Sequence, residues 1–253
     1  MRGIPIALSA PRRVMVDFLH FASRVPTVPV QRRMNILELV RARQEAIPRP
    51  CWPAIFLKGY AMVVDEIPEL RRAFVQLPWP QLYQYPTTIA SIAIEREYQQ
   101  EPCVFFAKIA DPASWPLARI HTTIREFAEA PLETLPMFHK MMHLARFPRP
   151  VRRLLLWLGL NLPRTRPGQF GTFGLSVYSS LGAESLHPLS TLTTTLNYGV
   201  IESDGTVFVR IIYDHRVLDG AMIARVLERL EKVLLGPILA ELHRMAPQSG
   251  VAA

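Results

Sequence analysis

The chain has 253 residues, 49% of them hydrophobic and 20% charged, so it can bury a sizeable core and is not a disordered chain. Twenty-nine Lys and Arg against 21 Asp and Glu leave a net charge of +8, a balance suited to anionic partners such as phosphorylated cofactors, acidic proteins, membrane surfaces or nucleic acid. Two cysteines, Cys51 and Cys103, exclude a disulfide framework and fit a reducing compartment.

The opening MRGIPIALSAPRRV carries too short an apolar run for a secretory signal. The longest apolar run, Leu154 to Leu162, is about half the roughly 20 residues that span a bilayer. A cytoplasmic protein without a transmembrane segment is expected. From Pro11 to Arg24, Val14, Phe18 and Phe21 recur at helical spacing, and the two prolines of SRVPTVP stop the helix. Val28 to Leu37 reads as a strand leading into a second helix, LELVRARQEA. Pro53 to Val75 is a long amphipathic helical region interrupted near Pro68. Two strand-like runs, TTIASIAIERE and PCVFFAKI, flank the polar YQQE, and Trp115 to Ala130 is a further helix. Phe105, Phe106 and the tryptophans read as core.

The final third is mostly strand: GTFGLSVYS, STLTTTLNYGV and TVFVRIIYD, the last two joined by the hairpin signal Ser203-Asp204-Gly205. A closing helix runs from Gly220 to about Leu235. Together these make one α+β domain over residues 1–253.

The charge is local. Between Thr134 and Ala183 there is no Asp or Glu, yet Lys140 and Arg146, Arg149, Arg152, Arg153, Arg164 and Arg166 all fall there. Such a segment is read equally as a surface helix packing its Leu/Trp face inward with its arginines outward, or as a dock. The dock would take coenzyme A phosphates, an acyl-carrier protein or a membrane surface, with Arg149, Arg152 and Arg153 as its cofactor-binding residues. Nucleic acid is not expected, because no reader motif accompanies the basic run. His139 and His143 stand one helical turn apart, but no nearby carboxylate or cysteine completes a set, so no metal is expected. His187 in SLHPLS is read as a loop residue.

The sharpest local feature is Tyr213-Asp214-His215-Arg216-Val217-Leu218-Asp219-Gly220-Ala221. A strand delivers His215 at its end, and Asp219 stands at the N-cap position of the closing helix. A histidine so held is placed to act as a general base. On spacing alone, a hairpin exit with a surface His and a capping Asp fits equally well.

This segment resembles the DHRVxDGA signature of the acyltransferase core of 2-oxoacid dehydrogenase complexes, whose fold is shared with chloramphenicol acetyltransferase. PRRVMVDFLHFASRVPTVPVQRRMNILELVRAR, FLKGYAMVVDEIPELRRAF and GTFGLSVYSSLGAES resemble collinear blocks of the same family. The resemblance implies a two-layer α+β fold, a mixed β-sheet flanked by helices. It implies His215 as general base, Ser176 as donor to the oxyanion of the tetrahedral intermediate, and Asp219 as a structural residue paired with an arginine, Arg12 or Arg13. It also implies a homotrimer with each site shared between protomers, and no metal or resident cofactor. A coenzyme A or acyl-carrier phosphopantetheine thioester would be co-substrate and a small molecule the acceptor.

The chain departs from the family where LHPLSTLTTTLNYGV replaces a Pro- and Ala-rich strand. It also begins at the core, so a stand-alone enzyme without a lipoyl domain is expected. The alternatives are a non-catalytic trimeric scaffold or binding protein that kept the fold and, further off, a condensation-type amide- or ester-forming enzyme. The latter carry a second His where Asp214 stands here.

Overall fold

A computed structural model describes residues 3–247. Helix α1 (Ala10–Ala22) starts at Ser9, whose hydroxyl accepts from the Arg12 backbone N–H, and carries Pro11 in its first turn; both features favour a helix start. Strand β1 (Thr27–Asn35) and helices α2 (Leu37–Glu45) and α3 (Trp52–Glu66) follow as the pattern predicts.

The helical region expected to continue to Val75 is divided. Ile67, before Pro68, is extended rather than helical, as a pre-proline residue prefers. After a short 3-10 turn, β2 (Arg72–Val75) pairs antiparallel with β3 (Gln81–Gln84). Strands β4 (Ile89–Tyr98) and β5 (Glu101–Ala110) then form a hairpin through Gln99 and Gln100, both at left-handed φ, 52° and 62°. Positive φ at both central residues gives the turn whose twist matches that of its strands.

Four helices come next: α4 (Leu117–Glu129), α5 (Pro136–Ala145), α6 (Arg149–Asn161) and the short α7 (Arg166–Phe170). The run expected as a long strand through Ser179 forms only β6 (Phe173–Leu175), and a long, mostly irregular connection leads to β7 (Thr194–Tyr198). Strand β8 (Thr206–Asp214) is paired to β7 through the expected hairpin, and α8 (Gly220–Val233) closes the motif. Gly205 has φ +80°, and a Cβ there would lie 2.5 Å from Leu37 Cα, so this turn admits only glycine. Beyond α8 the chain continues through a wide turn, Leu234–Ile238, into α9 (Leu239–Met245). Pro237 lies inside that turn, and a wider helical winding absorbs its missing N–H.

The six-stranded sheet has the order β1-β8-β7-β6-β4-β5, with β6 parallel to both neighbours and the other pairs antiparallel. This is the mixed sheet flanked by helices that the resemblance implies. One face carries Met34, Ile92, Phe173, Leu196, Val209 and Ile211 against α3, α4 and α8. Phe56 of α3 stacks on Tyr198 at 4.0 Å between ring centroids, and Tyr60 meets Phe173 edge-on at 5.0 Å. Each fully buried Leu, Ile or Phe here contributes about 1.5–3 kcal/mol. Lys58 of α3 pairs with Glu241 of α9, whose other oxygen accepts the Leu117 N–H at the start of α4 at 2.7 Å. That carboxylate also suits the positive end of a helix. Phe105 lies in a smaller cluster with Cys103 and Phe138. Contrary to the core reading, Phe106 faces the sheet's second surface, and Trp79 is exposed.

Helix α6 corrects the reading of the arginine-rich segment. Its buried residues include Arg152, while Val151, Leu154 and Leu155 are exposed. The cause lies in α1: Asp17, 1% exposed, accepts from Arg152 Nε at 2.8 Å and from Arg153 Nε at 2.9 Å. A buried carboxylate needs a cation more than a helix needs an inward leucine. Arg166 is likewise buried, donating to the carbonyls of Phe74, Leu160 and Thr191. Three of the seven basic residues are therefore drawn inward, and two of the three proposed phosphate contacts are engaged by Asp17.

Candidate active site

Strand β8 ends at Asp214, 2% exposed, whose carboxylate accepts from the Arg216 backbone N–H at 3.0 Å and from its guanidinium at 2.9 and 2.7 Å. The Asp214 carbonyl accepts from Val217 N–H and Leu218 N–H, and His215 N–H donates to Pro26 O. These contacts hold a compact turn with His215 on its outer side, its side chain half exposed. His215 Nδ1 lies 3.2 Å from the Leu218 carbonyl. A carbonyl only accepts, so this bond places the proton on Nδ1 and leaves the Nε2 lone pair free. The geometry thus selects the tautomer a general base requires.

Asp219 occupies the N-cap position of α8, and its carbonyl accepts the first helical N–H groups. Its side chain, 88% exposed, caps nothing and stands 3.8 Å from His215 Nδ1. The expected arginine partner is not made. Arg12 sits at the β5 edge of the sheet, donating to Glu101 Oε1 at 2.9 Å and to Pro102 O, and Arg13 on the same helix is exposed. The turn is braced by Asp214 and Arg216 instead, a pairing the sequence motif contained but the sequence analysis did not assign.

Ser176 follows β6 and is 8% exposed; its N–H donates to Leu196 O at 3.1 Å. It lines a cavity of about 210 Å³ on the second face of the sheet. Met15, Phe18 and Leu19 of α1, Val104 and Phe106 of β5, and Leu192 form its apolar wall; Ser91, Ser190 and Thr195 add hydroxyls. Among the described residues no charged side chain lines it. Thr195 Oγ1 is buried without a hydrogen-bond partner, a feature with no signal in the sequence. Arg149, Arg152 and Arg153 are not part of this wall.

Ser176 and His215 do not meet within one chain. Ser176 is level with Asn197 of β7, whereas His215 continues beyond Asp214, level with Leu192. Five residues of strand separate them by about 17 Å, and two strand spacings add roughly 10 Å sideways. His187 does approach the histidine's turn: its Nε2 is 2.7 Å from Thr27 Oγ1, and Thr27 pairs with Asp214. Among the described residues no group of three or more His, Cys, Asp or Glu side chains could hold a metal ion. Among them, too, no helix is long and apolar enough to cross a membrane.

Neither a family model nor a curated protein matches the sequence. Solved structures do. Azotobacter vinelandii dihydrolipoamide acetyltransferase is 18% identical, with 95% of this chain and 94% of that one covered and a TM-score of 0.68. That enzyme was studied for the catalytic roles of a serine, a histidine and an asparagine. A probable dihydrolipoamide acetyltransferase from Listeria monocytogenes covers 99% of both chains at 15% identity and a TM-score of 0.65.

The chain has the acyltransferase-core fold. Chloramphenicol acetyltransferase shares it, at 12% identity and a TM-score of 0.53 over 91% of this chain and all of that one. In this fold His215 stands at the exit of β8 and Ser176 directly after β6.

Proposed function

We propose that the protein is an acyltransferase that moves an acyl group from a coenzyme A or carrier-protein thioester to a small thiol, hydroxyl or amine. The observation that carries this reading is the contact of His215 Nδ1 with Leu218 O, which leaves Nε2 as a base on an exposed turn. In the proposed reaction, Nε2 takes the acceptor's proton as the acceptor attacks the thioester carbonyl. The oxyanion of the tetrahedral adduct receives a hydrogen bond from Ser176, a donor whose value lies mainly in the transition state. Collapse expels the thiolate, which recovers the proton from His215.

The separation of the two residues within one chain supports a shared site, with His215 of one protomer facing Ser176 of the next in a homotrimer. The size of the cavity agrees, being below the roughly 300–1,000 Å³ of a complete small-molecule site and without His215 in its wall. Its uncharged lining favours a neutral, apolar group beside the reacting carbonyl. Of the three arginines first considered for phosphate binding, Arg149 is the one left largely exposed, and a donor contact there is part of the proposal. Two unpaired thiols suit a cytoplasmic location.

The test is a panel of acyl-CoA thioesters with dithiothreitol as acceptor, transfer of the acyl group being read by mass spectrometry. Transfer that falls by about two orders of magnitude or more in His215→Ala and by about a hundredfold in Ser176→Ala, and is partly restored by mixing the two variants, supports both chemistry and sharing. A wild type inert across CoA and carrier-protein donors would leave the non-catalytic trimeric scaffold as the reading.

A further inference from the structure

The second face of the sheet buries an arginine that the mechanism above does not use. Arg210, 5% exposed, lies mid-strand in β8 and donates through Nη2 to Glu184 Oε2 at 2.5 Å, through Nε to Gln31 of β1, and through Nη1 to Asn197 Oδ1 at 3.4 Å. Asn197, fully buried, donates from Nδ2 to the Ser176 carbonyl at 2.6 Å. Each link has only one possible sense. A guanidinium can only donate and a carbonyl can only accept, so the Asn197 amide must turn its oxygen to Arg210 and its nitrogen to Ser176. The far end is seated by shape: a Cβ on Gly199 would fall 2.0 Å from Glu184 Oε1, and the same carboxylate accepts the Val200 N–H at 3.2 Å.

We infer that Asn197, oriented by the Glu184–Arg210 ion pair, is a positioning residue for Ser176. It fixes the plane of the peptide that follows Ser176 and so aims that residue's side chain into the cavity. The chain commits a buried ion pair to this purpose, in an environment where a wholly apolar strand contact would be about as stable. A group that acts through Ser176 matters only while Ser176 does. This role rests on the catalytic reading of Ser176, but its test also has an arm independent of turnover.

The deciding variant is Asn197→Asp, which keeps an acceptor for Arg210 but replaces the donation to Ser176 with a carboxylate oxygen that repels its carbonyl. With the acyl-CoA that the wild type turns over fastest, kcat is expected to fall about ten- to a hundredfold with KM within about threefold, as for a misaimed transition-state contact. In the Ser176→Ala background the same change is expected to cost less than about twofold. Gly199→Ala, which displaces Glu184 without touching Arg210 or Asn197, is expected to lower kcat in the same background-dependent way. Equal losses with and without the Ser176 hydroxyl would make the network merely structural and overturn the inference.

The independent arm labels serine with carbon-13 and follows the Ser176 β-carbon resonance, assigned by its loss in Ser176→Ala. It is expected to move in Asn197→Asp and Gly199→Ala and to stay in the control Arg125→Gln, an exposed residue of α4 paired with Glu129. If neither acyl-CoA nor acyl-carrier donors are turned over, the acyltransferase reading fails on its own and the resonance decides the positioning. An unmoved resonance overturns it. Should Asn197→Asp not fold, Gly199→Ala is judged by both measurements.

Discussion

The turn after β8 and helix α6 both gather charge, and they dispose of it in opposite ways. At the turn, Asp214 and Arg216 are two residues apart in sequence, and their pairing shapes a local loop that leaves His215 facing outward. In α6, Arg152 and Arg153 are held by Asp17, more than 130 residues earlier, and Arg152 shares the buried face with Leu156 and Leu160 while Leu154 and Leu155 face outward. A charge whose partner is nearby can be placed from the sequence. One whose partner is remote takes its orientation from the tertiary fold, and composition alone misplaces it.

The contrast can be broken by experiment. The largest effect is expected at the turn: His215→Ala is expected to lower turnover by about two to four orders of magnitude, since proton transfer is lost, with an unchanged denaturation midpoint. A midpoint that drops with the activity would make His215 a structural residue. In α6 the loss is expected in stability. Arg152→Ala leaves Asp17 buried with a weakened partner set, and a cost of about 3–5 kcal/mol is expected in urea denaturation. Arg149, 64% exposed and 3.8 Å from Asp17, is expected to change stability by less than about 0.5 kcal/mol when replaced by Gln; equal losses at Arg149 and Arg152 would abolish the distinction.

Smaller effects sharpen the comparison within the motif. Asp214→Asn removes charge from a buried carboxylate that accepts three hydrogen bonds from Arg216, and a loss of about 1–3 kcal/mol is expected. Asp219→Asn, at an exposed side chain that bonds no helix N–H, is expected to fall within about 0.5 kcal/mol. The reverse ranking would restore Asp219 as the brace of the turn. The smallest effect concerns Lys108, whose burial, with Lys140 nearby, pushes its ammonium pKa down to about 8. Below that value the folded state bears the cost of a desolvated charge, and the cost fades as pH rises toward the unfolded pKa of about 10.4. Lys108→Met is therefore expected to raise Tm at pH 7 and to lose that advantage progressively above pH 8, which thermal melts across pH would check.

Much of the frame was legible because its signals are local. The alternation in TVFVRIIYD, the Asp204-Gly205 turn and the 3.6-residue period after Gly220 each specify an element from adjacent residues. Strand β2 was missed because its four residues, Arg72–Val75, continue a helical periodicity that Pro68 interrupts. Strand β6 was drawn too long because GTFGLSVYS stays apolar after its ladder ends at Leu175. Of the candidate site, motif resemblance alone singled out His215 and Ser176. The Arg12 and Arg13 pairing with Asp219 failed because Arg12 finds Glu101, 89 residues away, first. The Arg210–Asn197 link was hidden for a related reason: two polar side chains in neighbouring strands read as solvent-facing positions until the sheet's second face is seen to be covered.

Glu241 carries a consequence for the order in which the molecule is made. Its carboxylate neutralises Lys58 inside the α3 layer and meets the first N–H of α4, yet it belongs to α9, far later in the chain. Strand β1, likewise, has β8 as its one partner in the sheet. During synthesis both early elements leave the ribosome long before the groups that complete them. The early elements therefore wait, with an uncompensated ammonium and an open strand edge, until β8 and α9 have been made. Completion of β1 and α3 is thus delayed by some 180 residues of synthesis, and the nascent chain depends until then on being kept from other strand edges.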